Sequence, residues 1–130
     1  MVTPKQLRYA PSHEWVRVEG ELAYVGITDY AQESLGDIVY VEAPAPNEAF
    51  KKGEEVATIE SVKAASPIYA PVSGTVVQVN GALEGSPELV NQKPYEAFLF
   101  VLRVADPKQL NDLLDAAAYE RHVEQEKLKH

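Results

Sequence analysis

The chain has 130 residues, of which 45% are hydrophobic and 25% charged, a composition that supports one globular domain over residues 1–130 and excludes wholesale disorder. Acidic side chains outnumber basic ones, 20 to 12, for a net charge of −8, so neither nucleic acid nor an anionic membrane is expected as a partner. Cysteine is absent, which removes disulfides, thiol nucleophiles and cysteine-based metal sites; no metal site is expected. The first residues lack the apolar run of a signal peptide, and no stretch approaches the roughly 18 apolar residues of a membrane span, so a soluble cytoplasmic protein is expected.

Alternation of apolar and polar residues, the mark of half-buried strands, dominates the first hundred positions. His13–Val18 and Leu22–Ile27 predict a strand pair around a tight turn at Glu19-Gly20-Glu21, where glycine takes a positive φ. Thr28 to Gly36 reads as a short helix, with Thr28 or Asp29 as N-cap and Gly36 as its stop. Strands are predicted next at Ile38–Glu42, Val56–Ile59, Pro67–Ala70, Thr75–Val79 and Phe98–Val104, a spacing that points to a β-sandwich or barrel. Pro67 and Pro71 cannot donate ladder hydrogen bonds, which assigns their segment to a sheet edge or strand boundary.

Asp106-Pro107-Lys108-Gln109 supplies an N-cap, a proline for the first helical position and a glutamine placed as in a capping box. Leu110, Leu113, Leu114 and Ala117 then form one apolar face, giving a C-terminal helix or two helical pieces hinged near Asp115. The Glu/Lys-rich tail, residues 124–130, is expected to fray. A glycine followed by alternating β-branched residues occurs at Gly36–Val41 and again at Gly74–Val79, the kind of echo that builds a pseudo-twofold sandwich.

Lys63 is the only basic residue from Gly53 through Gln92. It sits in Glu60-Ser61-Val62-Lys63-Ala64-Ala65-Ser66, between two segments that pair as a hairpin. A lysine at a hairpin tip is held in solvent on a rigid base, where an acylating enzyme reaches its amine. A Schiff-base lysine, by contrast, needs burial to lower its pKa, which a turn of Ser and Ala does not promise. An ordinary solubilising lysine is the plain alternative.

Ser12-His-Glu-Trp15, Val25-Gly-Ile-Thr-Asp-Tyr-Ala-Gln32, Leu35-Gly-Asp-Ile-Val-Tyr-Val-Glu42, Ile59-Glu-Ser-Val-Lys-Ala-Ala65, Pro71-Val-Ser-Gly74, Val79-Asn80, Ser86-Pro-Glu-Leu-Val-Asn91 and Pro94-Tyr95 together resemble, in order and over nearly the whole chain, the glycine cleavage system H protein family. The resemblance implies lipoate as a covalent cofactor on Lys63. It also implies a mainly β fold, a lipoyl-domain-like hybrid β-sandwich or barrel with the lipoyl lysine on a hairpin, a short internal helix and terminal helices. Biotin is disfavoured as the cargo, because Val62-Lys63-Ala64 lacks the methionines that flank biotinyl lysine.

The function implied by the resemblance is that of a carrier with no catalysis of its own. It would take an S-aminomethyl dihydrolipoyl arm from a pyridoxal-phosphate glycine decarboxylase (P protein) to a tetrahydrofolate-dependent aminomethyltransferase (T protein), and then to dihydrolipoamide dehydrogenase (L protein). A lipoate ligase or lipoyltransferase would load it. A monomer is implied, in the bacterial cytoplasm or, as a mature form, in the mitochondrial matrix. Ser12 and Glu14 match family positions near the docked arm, where Glu14 would pair with the aminomethyl cation. An exposed carboxylate on a strand is the plain alternative for Glu14. Glu60, beside the attachment lysine, is the acidic residue expected to mark the turn for the lipoylating enzyme. Trp15 and His13 are assigned to structure.

Two departures from the family pattern stand out. Tyr30 occupies the place of a frequent histidine in Ile-Thr-Asp-x-Ala-Gln, and Glu96-Ala97-Phe98-Leu99-Phe100 lacks the usual Gly-Trp before the last strand. Ala97 would adopt a positive φ only at a cost, while Phe98 restores buried aromatic area. These departures leave room for a related lipoyl carrier that serves lipoate relay or sulfur transfer, and, outside the family, for a lysine-dependent enzyme or a structural β-domain.

Overall fold

A computed structural model describes residues 3–129. Among the described residues nine strands form two sheets: β1 (Arg8–Tyr9), β2 (Glu14–Glu19), β3 (Leu22–Ile27), β4 (Ile38–Glu42), β5 (Ala49–Phe50), β6 (Glu55–Ser61), β7 (Ala65–Tyr69), β8 (Gly74–Val79) and β9 (Phe100–Val104). One sheet has the order β1-β2-β3-β9-β8-β5 and the other β4-β6-β7, and neither closes on itself. The result is a sandwich rather than a barrel. Val16, Val25, Val76 and Leu102 from the larger sheet and Ile38, Val41, Ile59 and Ile68 from the smaller one share a single buried core, which is the packing that alternating strands demand.

The predicted turn is present: Glu19 pairs with Leu22, and Gly20 between them has a φ of 61°. Helix α1 (Asp29–Leu35) starts at Thr28, whose side chain accepts from the Ala31 N–H, and stops at Gly36. The proline-bearing strand β7 lies at an edge of the three-stranded sheet, as the missing proline donors require. The two echoed segments fall in different sheets, β4 in the smaller and β8 in the larger.

A second cluster fills the space between the larger sheet and the C-terminal helix. Trp15, Tyr9, Tyr119 and Val123 are fully buried there, Tyr9 and Tyr119 stack at 4.7 Å, and the Trp15 indole donates to the Pro94 carbonyl at 2.8 Å. Trp15 is therefore core.

The C-terminal region corrects several expectations. Pro107–Asp112 is a 3-10 helix capped by Asp106, but Gln109 does not close a capping box; its side-chain oxygen accepts from the Ser73 N–H instead. Leu113 is buried while Ala117 is exposed, because the chain breaks at Asp115 and restarts as α4 (Ala116–Leu128), whose buried face is Ala116, Tyr119 and Val123. Helix continues past Val123 to Leu128, where fraying was expected; His130 lies outside the described residues. Two short helices, α2 (Ala82–Gly85) and α3 (Leu89–Gln92), were not foreseen. Ala97 is buried, and among the described residues only His13 and Asn47 are non-glycines with positive φ, so the altered loop requires no glycine there. Phe98 packs edge-on against Tyr24 at 5.3 Å.

Candidate functional site

Lys63 lies at the tip of the β6–β7 hairpin and is exposed. The turn is stitched by Ser61, whose hydroxyl accepts from the Ala64 N–H at 3.1 Å and donates to the Ala64 carbonyl at 3.2 Å. The backbone of the same pair closes with Ser61 N–H to Ala64 O at 2.8 Å, and Val62 N–H reaches the Asp37 carbonyl at 3.0 Å. A lysine at such a tip has a mobile stem on an ordered base. Gly36 has a φ of 79°, which favours glycine, and the Lys63 stem passes beside it, with Cε at ordinary contact distance, 3.6 Å, from where a β-carbon on Gly36 would lie. Glu60 is exposed at the end of β6, opposite Ala65.

A cleft of about 280 Å³ opens beside this turn. Ala31 and Leu35 of α1 form one wall and Ser66, Pro67 and Ile68 of β7 the other. Leu35 immediately precedes Gly36, and Ser66 follows Lys63 by three positions, so the lysine turn adjoins the cleft. Ser12, His13, Tyr30 and Glu126 line the cleft as well. Its lining is mixed, with Ile27, Ala31, Leu35, Pro67 and Ile68 set among the polar groups of the serines, His13, Tyr30 and Glu126.

Glu14 is not the exposed strand carboxylate of the plain reading; it is 1% exposed. The Ser12 hydroxyl donates to Glu14 Oε1, and the Tyr69 N–H to Oε2 at 3.3 Å. Burial pushes this carboxyl above the ordinary range, and those two donors pull it part of the way back. Ser12 and Glu14, two positions apart in the sequence, are thus joined in space and fastened to the strand that begins at the lysine turn.

His13 is drawn into a hydrogen-bond chain with α4. Its Nδ1 lies 2.8 Å from the Tyr119 hydroxyl and its Nε2 2.8 Å from Glu126 Oε2, and Tyr119 is 2.7 Å from Thr28 Oγ1. Burial holds the imidazole below its usual pKa, Glu126 opposes that shift and His122 adds to it. Tyr30 tilts against the His13 ring at 5.0 Å, so the residue that replaces a frequent histidine forms part of the cleft wall.

The family model for the glycine cleavage H-protein matches residues 7–126. The chain belongs to the glycine cleavage H-protein family. It is 52% identical to the glycine cleavage system H protein of Syntrophomonas wolfei over 126 residues, covering 97% of each chain. To that of Thermus thermophilus it is 54% identical over 127 residues, covering 97% of this chain and 99% of the relative. In three dimensions it is similar to the crystal structure of a glycine cleavage system H protein from Mycobacterium marinum, with a TM-score of 0.83 and 33% identity over 91% of this chain and 96% of that one.

Within this H-protein framework, sequence reasoning singled out Lys63, Ser12, Glu14 and Glu60 as candidates but not the groups that hold them. Ser61, Asp37 and Gly36 organise the turn, and Tyr69 fixes Glu14 through its backbone. Asn91 braces the loop behind the turn, accepting from the Ile38 N–H at 2.9 Å and donating to the Gly36 carbonyl at 2.9 Å. Only Ser61 carried a local signal, a hydroxyl residue two positions before the lysine. The others act through backbone groups or across long sequence separations.

Proposed function

We propose that this protein is the lipoyl carrier of the glycine cleavage system, acting in the cytoplasm, with lipoate amide-linked to Lys63. The observation that carries the reading is the position of Lys63: an exposed residue on a stitched turn whose flanking residue Ser66 lines a cleft. The residues present suit the group. The hairpin offers the amine to a lipoate ligase or lipoyltransferase, Leu35, Ala31 and Ile68 offer apolar surface to an alkyl chain, and Ser12, hydrogen-bonded to the buried Glu14, lines the cleft. When bound, lipoate supplies a disulfide that is reduced as it accepts a one-carbon fragment.

The chain's own residues bind, orient and shield. The cleft walls exclude water from whatever docks between α1 and β7. Ser12 and Glu14 are the contacts proposed for the amine of a loaded arm: the approach of a cation favours the ionised form of Glu14 that burial disfavours, so the pair would grip a charged arm more strongly than a neutral one. No side chain of the protein is assigned a catalytic step; the P, T and L proteins supply the chemistry. The acidic surface suits fast, reversible encounters with basic docking faces on those partners.

The test is the intact mass after incubation with lipoate ligase, lipoate and ATP, alongside Lys63→Arg. One lipoyl increment, lost in the variant, is expected; no increment on folded protein overturns the carrier reading. The loaded protein is then given to glycine decarboxylase with glycine. Release of CO2 supports the glycine cleavage assignment, and a lipoylated protein that supports none assigns the carrier to lipoate relay or sulfur transfer.

A further inference from the structure

Three side chains without a task in the carrier reading converge where the loop before β2 meets α4. His13 holds a φ of 78°, a left-handed backbone that a residue with a β-carbon adopts only when its surroundings enforce it. From there its ring reaches the helix, with Nε2 2.8 Å from Glu126 Oε2. The other oxygen of the same carboxylate, Oε1, lies 3.1 Å from His122 Nε2. His122 and Glu126 are four positions apart on α4 and share one face. One donor atom from each of the three side chains falls within 4.8 Å of the other two, and all three residues are half-buried.

Neutral rings satisfy this cluster, with Tyr119 donating to His13 Nδ1 and His13 Nε2–H donating to Glu126. His122 divides its Nε2–H between Glu126 and the Pro11 carbonyl, 2.9 Å away. Even so, two imidazoles 5.7 Å apart between ring centres face a single carboxylate. A dication meets both ring nitrogens and the carboxylate together.

We propose that His13 Nε2, His122 Nε2 and the Glu126 carboxylate form a binding site for a divalent cation of the zinc class. Two imidazole nitrogens select zinc and its first-row neighbours over magnesium or calcium, which take oxygen ligands. Three protein ligands leave a fourth tetrahedral position open. Binding moves a proton from Nε2 to Nδ1 on each ring, so no net proton is lost. For His13, the Tyr119 hydroxyl turns to donate to Thr28 Oγ1. The ring nitrogens, now 2.8 Å from Oε2 and 3.1 Å from Oε1 and with all three ligand atoms inside 4.8 Å, adjust to separations of about 3.3 Å, the edge of a tetrahedron with bonds near 2.0–2.1 Å. Because His13 and Glu126 also line the cleft, a bound cation pins α4 to the cleft wall.

The test titrates Zn2+ by calorimetry, and Co2+ by visible absorption, into the untagged full chain before lipoylation, so that no dithiol competes. A single equivalent of bound metal is expected, with the intense Co2+ bands of a four-coordinate site. Affinity falls by at least about tenfold in both His122→Asn and Glu126→Gln; these positions lie on the half-exposed side of α4, and circular dichroism verifies that both variants fold. The imidazole nitrogen resonances of His13 and His122 shift together on adding zinc. Absence of binding overturns the site, as does binding that survives both substitutions, the outcome if His130 or scattered carboxylates hold the metal.

Discussion

The Val62 N–H donates to the Asp37 carbonyl at 3.0 Å, which ties the tip of the lysine hairpin to the loop that leaves α1. That loop is itself held from behind: Asn91 accepts from Ile38 N–H and donates to Gly36 O and, at 3.0 Å, to Gln32 Oε1. One asparagine on α3 thus supports Gly36 and Ile38, and through Asp37 the turn that presents Lys63. Asn91→Ala leaves these partly buried groups unpaired, which costs about 1–3 kcal/mol. Amide exchange at Ile38 and Val62 quickens more than at Val25, in the middle of the larger sheet. Equal acceleration at all three sites would mean that Asn91 supports the fold at large and not the turn.

Ser61 binds the turn through both its lone pairs and its proton, so Ser61→Ala removes three contacts from the four-residue tip. The backbone bond between Ser61 and Ala64 remains, which limits the stability loss to about 1 kcal/mol. Lipoylation suffers more than stability, because a ligase must recognise an ordered tip. A rise in KM for the protein substrate with kcat nearly unchanged is the expected signature, measured by the rate of mass increment. Unchanged kinetics would show that the backbone alone orders the turn.

Glu60 is exposed and points to recognition rather than packing. Glu60→Gln keeps the strand pairing with Ala65 and removes one charge. An exposed ion pair contributes up to about 1 kcal/mol, so the lipoylation rate at low protein concentration falls by up to about fivefold, and the difference shrinks at high salt. An effect that is independent of salt would rule out a charge contact with the ligase.

Much of this architecture was legible in the residues. Leu22–Ile27 and Ile38–Glu42 were found with their observed bounds, because a one-sided burial pattern writes period two into the sequence. Thr28 and Gly36 announced both ends of α1 by their cap chemistry. Arg8–Tyr9 and Ala49–Phe50 are too short to carry a period, and they are strands only because a neighbouring edge is available. Ala82–Gly85 and Leu89–Gln92 lack side-chain caps, so nothing local marked them. The fate of Glu14 was illegible for another reason: its burial depends on the Tyr69 backbone, 55 positions away. The His13–Glu126 contact spans 113 positions, and a glutamate in a Glu/Lys-rich tail reads as solvated until the helix carrying it is seen to dock.

The stacked core between the larger sheet and α4 makes the protein sensitive to alkali. Tyr9 is fully buried and burial is the main cause that pushes its phenol above the ordinary range, with Tyr95, Tyr119 and Glu120 adding to the shift. Above about pH 10 the unfolded chain releases the Tyr9 proton while the native chain keeps it. The native state then holds more protons, so stability falls as pH rises through this window. Each such group contributes a slope of about 1.4 kcal/mol per pH unit. Tyr9→Phe removes the ionisation, so the slope of unfolding free energy against pH above 10 should flatten by that amount, whatever the constant cost of losing the bond to the Pro4 carbonyl. Denaturant titrations at several alkaline pH values measure it. A slope equal to that of the parent protein would mean that Tyr9 ionises in the native state, which its burial against Tyr119 forbids.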